Sequence, residues 1–203
     1  MPPRSLIVYI VEDDASVRDS LALMLGLEGY NTAFFGDAEG FLASWQPDWA
    51  GCVVADLKLP GASGIALQAE LRRRGSGLPF VIMTAHGDVA AARAAFRADA
   101  VDFLEKPFDH AQLRAAIDTA FSQEARRLRR SSEAEQLSLL TARERDVLEH
   151  AAKGLHAKEI ARVLGISART VEVHKTHLMA KLGVRNVAEL VRFALAAGRS
   201  PHD

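Results

Sequence analysis

The stretch Leu6-Ile-Val-Tyr-Ile-Val11, running straight into Glu12-Asp13-Asp14, decides the fold class of this chain. Its six residues do not alternate with polar ones, the pattern of a strand buried on both faces. Comparable short runs recur at Asn31–Phe35, Cys52–Asp56, Phe80–Thr84 and Asp102–Glu105. Periodic apolar segments lie between and after them: Val17–Leu27, Ala38–Trp45, Ile65–Arg73, Val89–Phe96 and Ala111–Leu128. Parallel strands require crossovers, so five strands each followed by a helix predict an α/β domain with a doubly wound, five-stranded parallel sheet. Asp37 and Asp109 sit where helix N-caps belong, and Gly29 and Gly75 where helices close.

Beyond Phe121 the pattern changes to Gln-Glu-Ala-Arg-Arg-Leu-Arg-Arg-Ser-Ser, charged and poor in core residues. Residues 123–137 therefore read as a linker that continues the last helix for some turns, with Arg126–Arg130 on a solvated face. From Ser138 the chain reads as four short helices and no strand: Ala142–Ala152, Ala157–Leu164, Ala168–Leu182 and Val187–Ala197. Turn signals separate them, and Thr141 with Glu144 makes a capping box. The expected organisation is an α/β domain over 1–122, a linker over 123–137 and a small all-α domain over 138–203.

The net charge of −1 over 203 residues hides an asymmetry: residues 1–123 carry −6, residues 138–203 carry +4 and the segment between carries +1. An acidic half joined to a basic half suggests a cation at one end and nucleic acid at the other. No apolar run approaches the ~18 residues of a membrane span, and the opening Met-Pro-Pro-Arg has no secretory pattern. The single cysteine, Cys52, reads as a buried structural thiol in a reducing cytoplasm.

In an open parallel sheet, functional residues gather at the carboxyl ends of strands, near the reversal of strand order. There the sequence delivers Glu12, Asp13 and Asp14, then Asp56, Thr84 and Lys106. Converging carboxylates repel unless a cation sits among them, and an all-oxygen set beside a phosphoryl group suits Mg2+. Lys106 offers a fixed charge to a phosphate oxygen and Thr84 a hydroxyl donor. Such a site supports phosphoryl transfer to a carboxylate nucleophile. Taken singly, Asp14 reads equally as a helix cap, Lys106 as a surface lysine and His86 as a structural loop residue.

Four motifs in order resemble the receiver domains of two-component systems, most closely the FixJ-type branch. They are Val-Glu-Asp-Asp-Ala-Ser-Val-Arg, Ala55-Asp-Leu-Lys-Leu-Pro-Gly-Ala-Ser-Gly64, Met83-Thr-Ala-His-Gly-Asp88 and Phe103-Leu-Glu-Lys-Pro-Phe108. The resemblance covers residues 5–121 and implies a flavodoxin-like fold. It makes Asp56 the phosphoacceptor, Asp13 a direct Mg2+ ligand, Glu12 a holder of metal-bound water and Lys58 a backbone-carbonyl ligand. Thr84 and Phe103 match the switch pair, Lys106 the phosphate-binding lysine, and the Lys106-Pro107 bond is expected to be cis. Glu12 stands where aspartate is more frequent, and Phe103 where many receivers have tyrosine. An aspartyl-phosphate phosphatase of the haloacid-dehalogenase type would need a second aspartate at position 58, which is lysine. The implied protein accepts a phosphoryl group and loses it slowly by itself; it is not a turnover enzyme.

Helix Ala157–Leu164, the turn Gly165-Ile-Ser167 and helix Ala168–Leu182 form a helix-turn-helix, with Ser167 as N-cap. At 100° per residue, Val171, Leu178 and Leu182 share a face that can pack on Ile160, Val163, Leu164 and Leu190. The opposite face presents Arg169, Glu172, Val173 and Thr176 to a major groove, with Thr170 beside them; Lys175, Lys181 and Lys158 flank it within reach of phosphates. Leu140-Thr-Ala-Arg-Glu-Arg-Asp-Val-Leu148, Ala157-Lys-Glu-Ile-Ala161 and Thr170-Val-Glu-Val-His174 resemble the LuxR/NarL-type effector domain. That resemblance implies base reading by Glu172, Val173 and Thr176 and binding as a dimer. His174 and His177, with no third ligand, read as packed or phosphate-facing rather than as a metal pair.

Together these resemblances imply a cytoplasmic response regulator: a sensor histidine kinase phosphorylates Asp56, and the protein then binds promoter DNA, with RNA polymerase a further possible partner. A quorum-sensing regulator would have no use for the acidic pocket. A receiver regulated without phosphate stays open as an alternative, as does activation by dimerisation against release of inhibition.

Overall fold

The structure is a computed structural model, and it describes residues 6–85 and 100–197. His86 and the helix expected over Val89–Phe96 lie outside the described residues. The chain divides into two compact units, residues 1–127 and 128–203.

The first unit is built on β1 (Ile7–Val11), β2 (Asn31–Phe35), β3 (Gly51–Asp56), β4 (Phe80–Ala85) and β5 (Asp102–Lys106). All pairings are parallel, in the order β2-β1-β3-β4-β5. Between them run α1 (Ala15–Leu27), α2 (Ala38–Ser44) and α3 (Gly64–Arg73), and α4 (His110–Ser138) follows β5. Successive strand residues face opposite sides, which explains the uninterrupted apolar runs: Tyr9 and Val11 enter one core with Phe41, Leu67 and Phe80. Val8 and Ile10 enter the other, with Leu21, Leu25, Leu113 and Ile117. Cys52 is fully buried in that second core, and burial pushes its thiol pKa up.

Short polar side chains start the helices. Asp14 accepts from the backbone N–H of Ser16 at 2.8 Å, Asp37 from Gly40 at 2.7 Å and Ser63 from Ala66 at 3.1 Å. Asp109 and Gln112 exchange backbone N–H bonds of 2.8 and 2.9 Å ahead of α4. Helix α4 runs unbroken for 29 residues, ten beyond the Leu128 at which the apolar periodicity ends. Arg127 departs from the expectation of a solvated face: it forms a two-bonded pair with the fully buried Glu124. Arg126, Arg129 and Arg130 are exposed.

The second unit holds α5 (Ala142–Ala152), α6 (Ala157–Leu164), α7 (Ala168–Leu182) and α8 (Val187–Ala197), with the limits read from the sequence. Ile160, Val171, Leu178, Leu182 and Leu190 are buried together with Leu140, Val147 and Leu148. Val163 does not join them. At 58% exposed it points to solvent, because Ile160 and Ala161 already supply the buried face of an eight-residue helix.

Candidate functional site

Chain order reverses between β1 and β3, so the carboxyl ends of those two strands flank the crevice of the sheet. Register then sets the neighbours. Val11 pairs with Ala55, which places Glu12 beside Asp56, and Ala85 pairs with Lys106 at the end of β5. Glu12 is 2% exposed, and its carboxylate accepts from Lys106 Nζ at 2.6 Å. The same ammonium donates to Asp56, whose other oxygen accepts from the Lys58 N–H at 2.8 Å. One lysine thus holds two carboxylates across the crevice.

Burial pushes the Glu12 pKa upward against the pull of Lys106. Burial also works against the charge on Lys106, but its hydrogen bonds to Asp56 and Glu12 outweigh it and raise the ammonium pKa. Lys106 therefore stays protonated through the physiological range. The bond from Lys106 to Pro107 is cis.

The surrounding backbone is held with little slack. Leu57 donates to the Met83 carbonyl at 2.7 Å, Gly64 to the Leu57 carbonyl at 3.0 Å, and Lys58 bridges to Ser63. A Cβ on Gly64 would stand 2.4 Å from the Asp56 carbonyl oxygen, so only glycine lets α3 begin this close to Asp56. Thr84 is 1% exposed with its hydroxyl directed at the Ala85 carbonyl, 3.4 Å away. Phe103 is half-buried against the core that includes Phe80 and Ile82. Asp13 is exposed, and Asp14 is occupied as the cap of α1.

Sequence reasoning assigned no role to Arg18, although it stands in the first quoted motif. Its Nη1 donates to the carbonyls of Glu12 and Asp13 at 2.7 and 2.8 Å and so fixes the acidic loop. The signal was its position on the first helical turn after three acids, where a guanidinium can fold back on the loop.

A metal fits this site by donor chemistry: the carboxylates of Glu12, Asp13 and Asp56 and the Lys58 carbonyl are all hard oxygen donors. Among the described residues no three acid, histidine or cysteine side chains are gathered to hold an ion. The space between Glu12 and Asp56 is instead bridged by Lys106.

In the second unit Gly165 adopts φ 66°, the left-handed turn that glycine permits, and Ser167 caps α7 by accepting from the Thr170 N–H at 3.0 Å. Arg169, Glu172, Val173, Thr176 and His177 line one open depression, matching a stripe at i, i+3, i+4, i+7 and i+8. Lys158 is exposed. Thr170 is half-buried with its hydroxyl on Ser167, 2.8 Å away, and Lys175 lies 3.4 Å from the Glu172 carboxylate. Lys181 is engaged inside the unit: it donates to Glu144 at 2.7 Å and to the Leu139 carbonyl at 3.2 Å.

The Lys181 bond, aided by the Thr141 N–H that Glu144 accepts at 2.8 Å, holds the Glu144 pKa down at about 2. A carboxylate depressed in the folded state stabilises above its unfolded value of 4.5 and loses that contribution as pH falls toward 2. Acid unfolding of the second unit, followed by circular dichroism, should therefore begin below about pH 4.5. In Glu144→Gln the loss across this window should be visibly shallower.

A single receiver-type sheet whose crevice carries acids and a lysine, joined to a helix-turn-helix, defines a class of two-domain DNA-binding regulators. Comparison with known proteins agrees. Residues 8–118 match the response regulator receiver domain model, and residues 138–194 match that of the bacterial regulatory proteins of the luxR family. The chain belongs to the two-component response regulators of the FixJ type, a receiver followed by a LuxR-type DNA-binding domain.

It is 42% identical to the transcriptional regulatory protein FixJ of Azorhizobium caulinodans, across 99% of this chain and 97% of that protein. Against FixJ of Bradyrhizobium diazoefficiens the identity is 40%, covering 94% and 95% of the two chains. Among solved structures, the response regulator StyR matches with a TM-score of 0.73 at 38% identity, covering 94% of this chain and 98% of the other. Full-length FixJ from B. japonicum matches with a TM-score of 0.59 at 39% identity, covering 96% and 98%. Among the described residues no helix is long and apolar enough to cross a membrane.

Proposed function

We propose that Asp56 accepts a phosphoryl group from the phosphohistidine of a sensor kinase in the cytoplasm, and that this event controls promoter binding by α7. The observation that carries the reading is the convergence of Glu12, Asp56 and Lys106 at the reversal of strand order. An Asp56 carboxylate oxygen attacks phosphorus; the new P–O bond forms as the P–N bond breaks, and the electron pair leaves with the imidazole nitrogen. Glu12, Asp13, Asp56 and the Lys58 carbonyl would hold Mg2+, which supplies neutralising charge to the phosphoryl oxygens when bound. Lys106 exchanges its bond to Asp56 for one to a phosphate oxygen. The Thr84 hydroxyl turns from the Ala85 carbonyl to a second phosphate oxygen, and the Phe103 ring follows into the space released.

On this reading residues 1–122 are the receiver, 123–137 connect and 138–203 bind DNA. Phosphorylation favours a homodimer that sets two α7 helices on a two-fold operator. RNA polymerase is the natural next partner of a protein so placed on a promoter.

Incubation with Mg2+ and acetyl phosphate should add the mass of one phosphoryl group. An unchanged mass would leave the DNA-binding half of the reading and make the receiver a phosphate-independent one. Each class of DNA contact has its own signature. Removing a phosphate contact by Lys158→Ala should weaken all sequences alike and lower the salt slope by about 1. Glu172→Ala should instead relax preference at one base pair by about 1–3 kcal/mol with the slope unchanged. Fluorescence anisotropy across a salt series separates the two; a sequence-selective loss in Lys158→Ala would reassign that residue.

A further inference from the structure

The phosphoryl site makes no use of Glu124, a carboxylate buried to 0% exposure on a helix segment whose composition reads as linker. Nothing apolar is gained by burying it, so its partners must compensate for desolvation. Arg127 donates to it twice at 2.7 Å, and the Gly51 N–H, at the start of β3, points to the same carboxylate at 3.4 Å. Gly77, just ahead of β4, has its missing side chain replaced by Arg127: a Cβ there would stand 2.4 Å from Arg127 Cδ. The pair therefore clamps α4 onto the amino ends of β3 and β4, the strands whose carboxyl ends carry Asp56 and Thr84.

The last turn of the same helix is tied within the second unit. Gln136 Nε2 donates to the Leu182 carbonyl at 3.4 Å. The Leu139 carbonyl, one residue past the helix end, accepts from Lys181 at 3.2 Å. Both partners belong to the final turn of α7, and Lys181 is itself fixed by Glu144. A continuous helix fastened to the strand starts at its middle and to the recognition helix at its last turn can pass a twist or displacement along the segment between. A frayed linker could not.

We propose that Glu124 and Arg127 are positioning residues for signalling: their clamp makes α4 the element that carries the receiver's state to α7. The proposal rests on the phosphorylation reading above. It concerns coupling between the two units, neither phosphate uptake nor DNA contact. It separates this pair from the exposed Arg126, Arg129 and Arg130, whose loss should leave coupling intact.

The test uses the full chain, acetyl phosphate with Mg2+, and a DNA duplex selected from a random pool by the phosphorylated wild-type protein. Mass reports phosphate uptake and anisotropy at fixed salt reports DNA affinity with and without the donor. In Arg127→Ala, uptake should stay at the wild-type level while the phosphate-dependent gain in affinity falls at least tenfold, to near unity. Arg127→Lys, which keeps the charge, should restore part of the gain. Gly77→Ala, which pushes Arg127 aside while leaving both residues of the pair in the sequence, should reproduce the loss, and Arg129→Ala should not. An unchanged gain in both Arg127→Ala and Gly77→Ala, each phosphorylated normally, would overturn the proposal. A wild-type protein that takes up phosphate without any gain would overturn it together with the switch it serves. Absence of uptake in the wild type would instead strike the phosphorylation reading first and remove the signal the clamp is proposed to carry.

Discussion

Asp56→Asn, treated with Mg2+ and acetyl phosphate, is expected to gain no mass, and its DNA affinity is expected to stay at the unphosphorylated value. The substitution keeps the shape of the side chain and the acceptor for the Lys58 N–H, 2.8 Å away, but removes the nucleophilic carboxylate and its charge. Among the described residues, Lys106 then keeps Glu12 as its charged partner. Because Asp56 lies at a half-open strand end, with 13% of its side chain exposed, the fold should persist with a stability change within about 1 kcal/mol. Native-like circular dichroism beside a complete loss of the adduct is thus the expected pair of results. A phosphoryl adduct surviving in Asp56→Asn would move the nucleophile to another carboxylate, Asp13 being the first to examine.

The second large effect belongs to the other unit. Glu144→Ala removes, in one step, the partner of Lys181, the reciprocal half of the α5 cap and a side chain only 4% exposed. Losing an N-terminal cap costs about 0.5–2 kcal/mol, and breaking a buried pair about 3–5. Lys181 remains 35% exposed and can turn to water, so the total should lie near the lower end, about 2–4 kcal/mol. For a unit of this size that lowers its melting midpoint by roughly 10–20 °C. Both tryptophans, Trp45 and Trp49, belong to the first unit, so tryptophan fluorescence should report an unshifted receiver transition while far-ultraviolet circular dichroism shows the early one. A single common shift in both signals would mean that the units unfold together and that the loss is not local to α5 and α7.

The parts of the fold that were legible are those where burial writes a pattern. Ile7–Val11, Gly51–Asp56 and Phe80–Ala85 are apolar on both faces because helices cover both sides of the sheet, and that pattern survives to within a residue or two at each end. Strand order follows from crossover rules only as a class. The register of Val11 with Ala55, which turns separate acids into neighbours, follows once the reversal lies between β1 and β3.

The misses have a common physical origin: polar groups whose partners are remote in sequence. The continuation of α4 for some turns into the linker was expected, but with no apolar stripe over 129–138 its end at Ser138 could not be placed. Glu124 and Arg127 look like surface charges until Gly51 and Gly77 are seen against them. The partner that Lys181 has in Glu144, 37 residues earlier in the chain, was likewise not legible. Arg18 reads as one more helix-surface arginine until its bonds to the Glu12 and Asp13 carbonyls are known.

The most direct measurement is the DNA affinity of one wild-type preparation at fixed salt, titrated before and after phosphorylation, with the adduct counted by mass on the same sample. The expected result is one adduct per chain and at least a tenfold tightening, absent in Asp56→Asn. One adduct per chain with an unchanged affinity would contradict the claim that the acidic crevice governs the recognition helix.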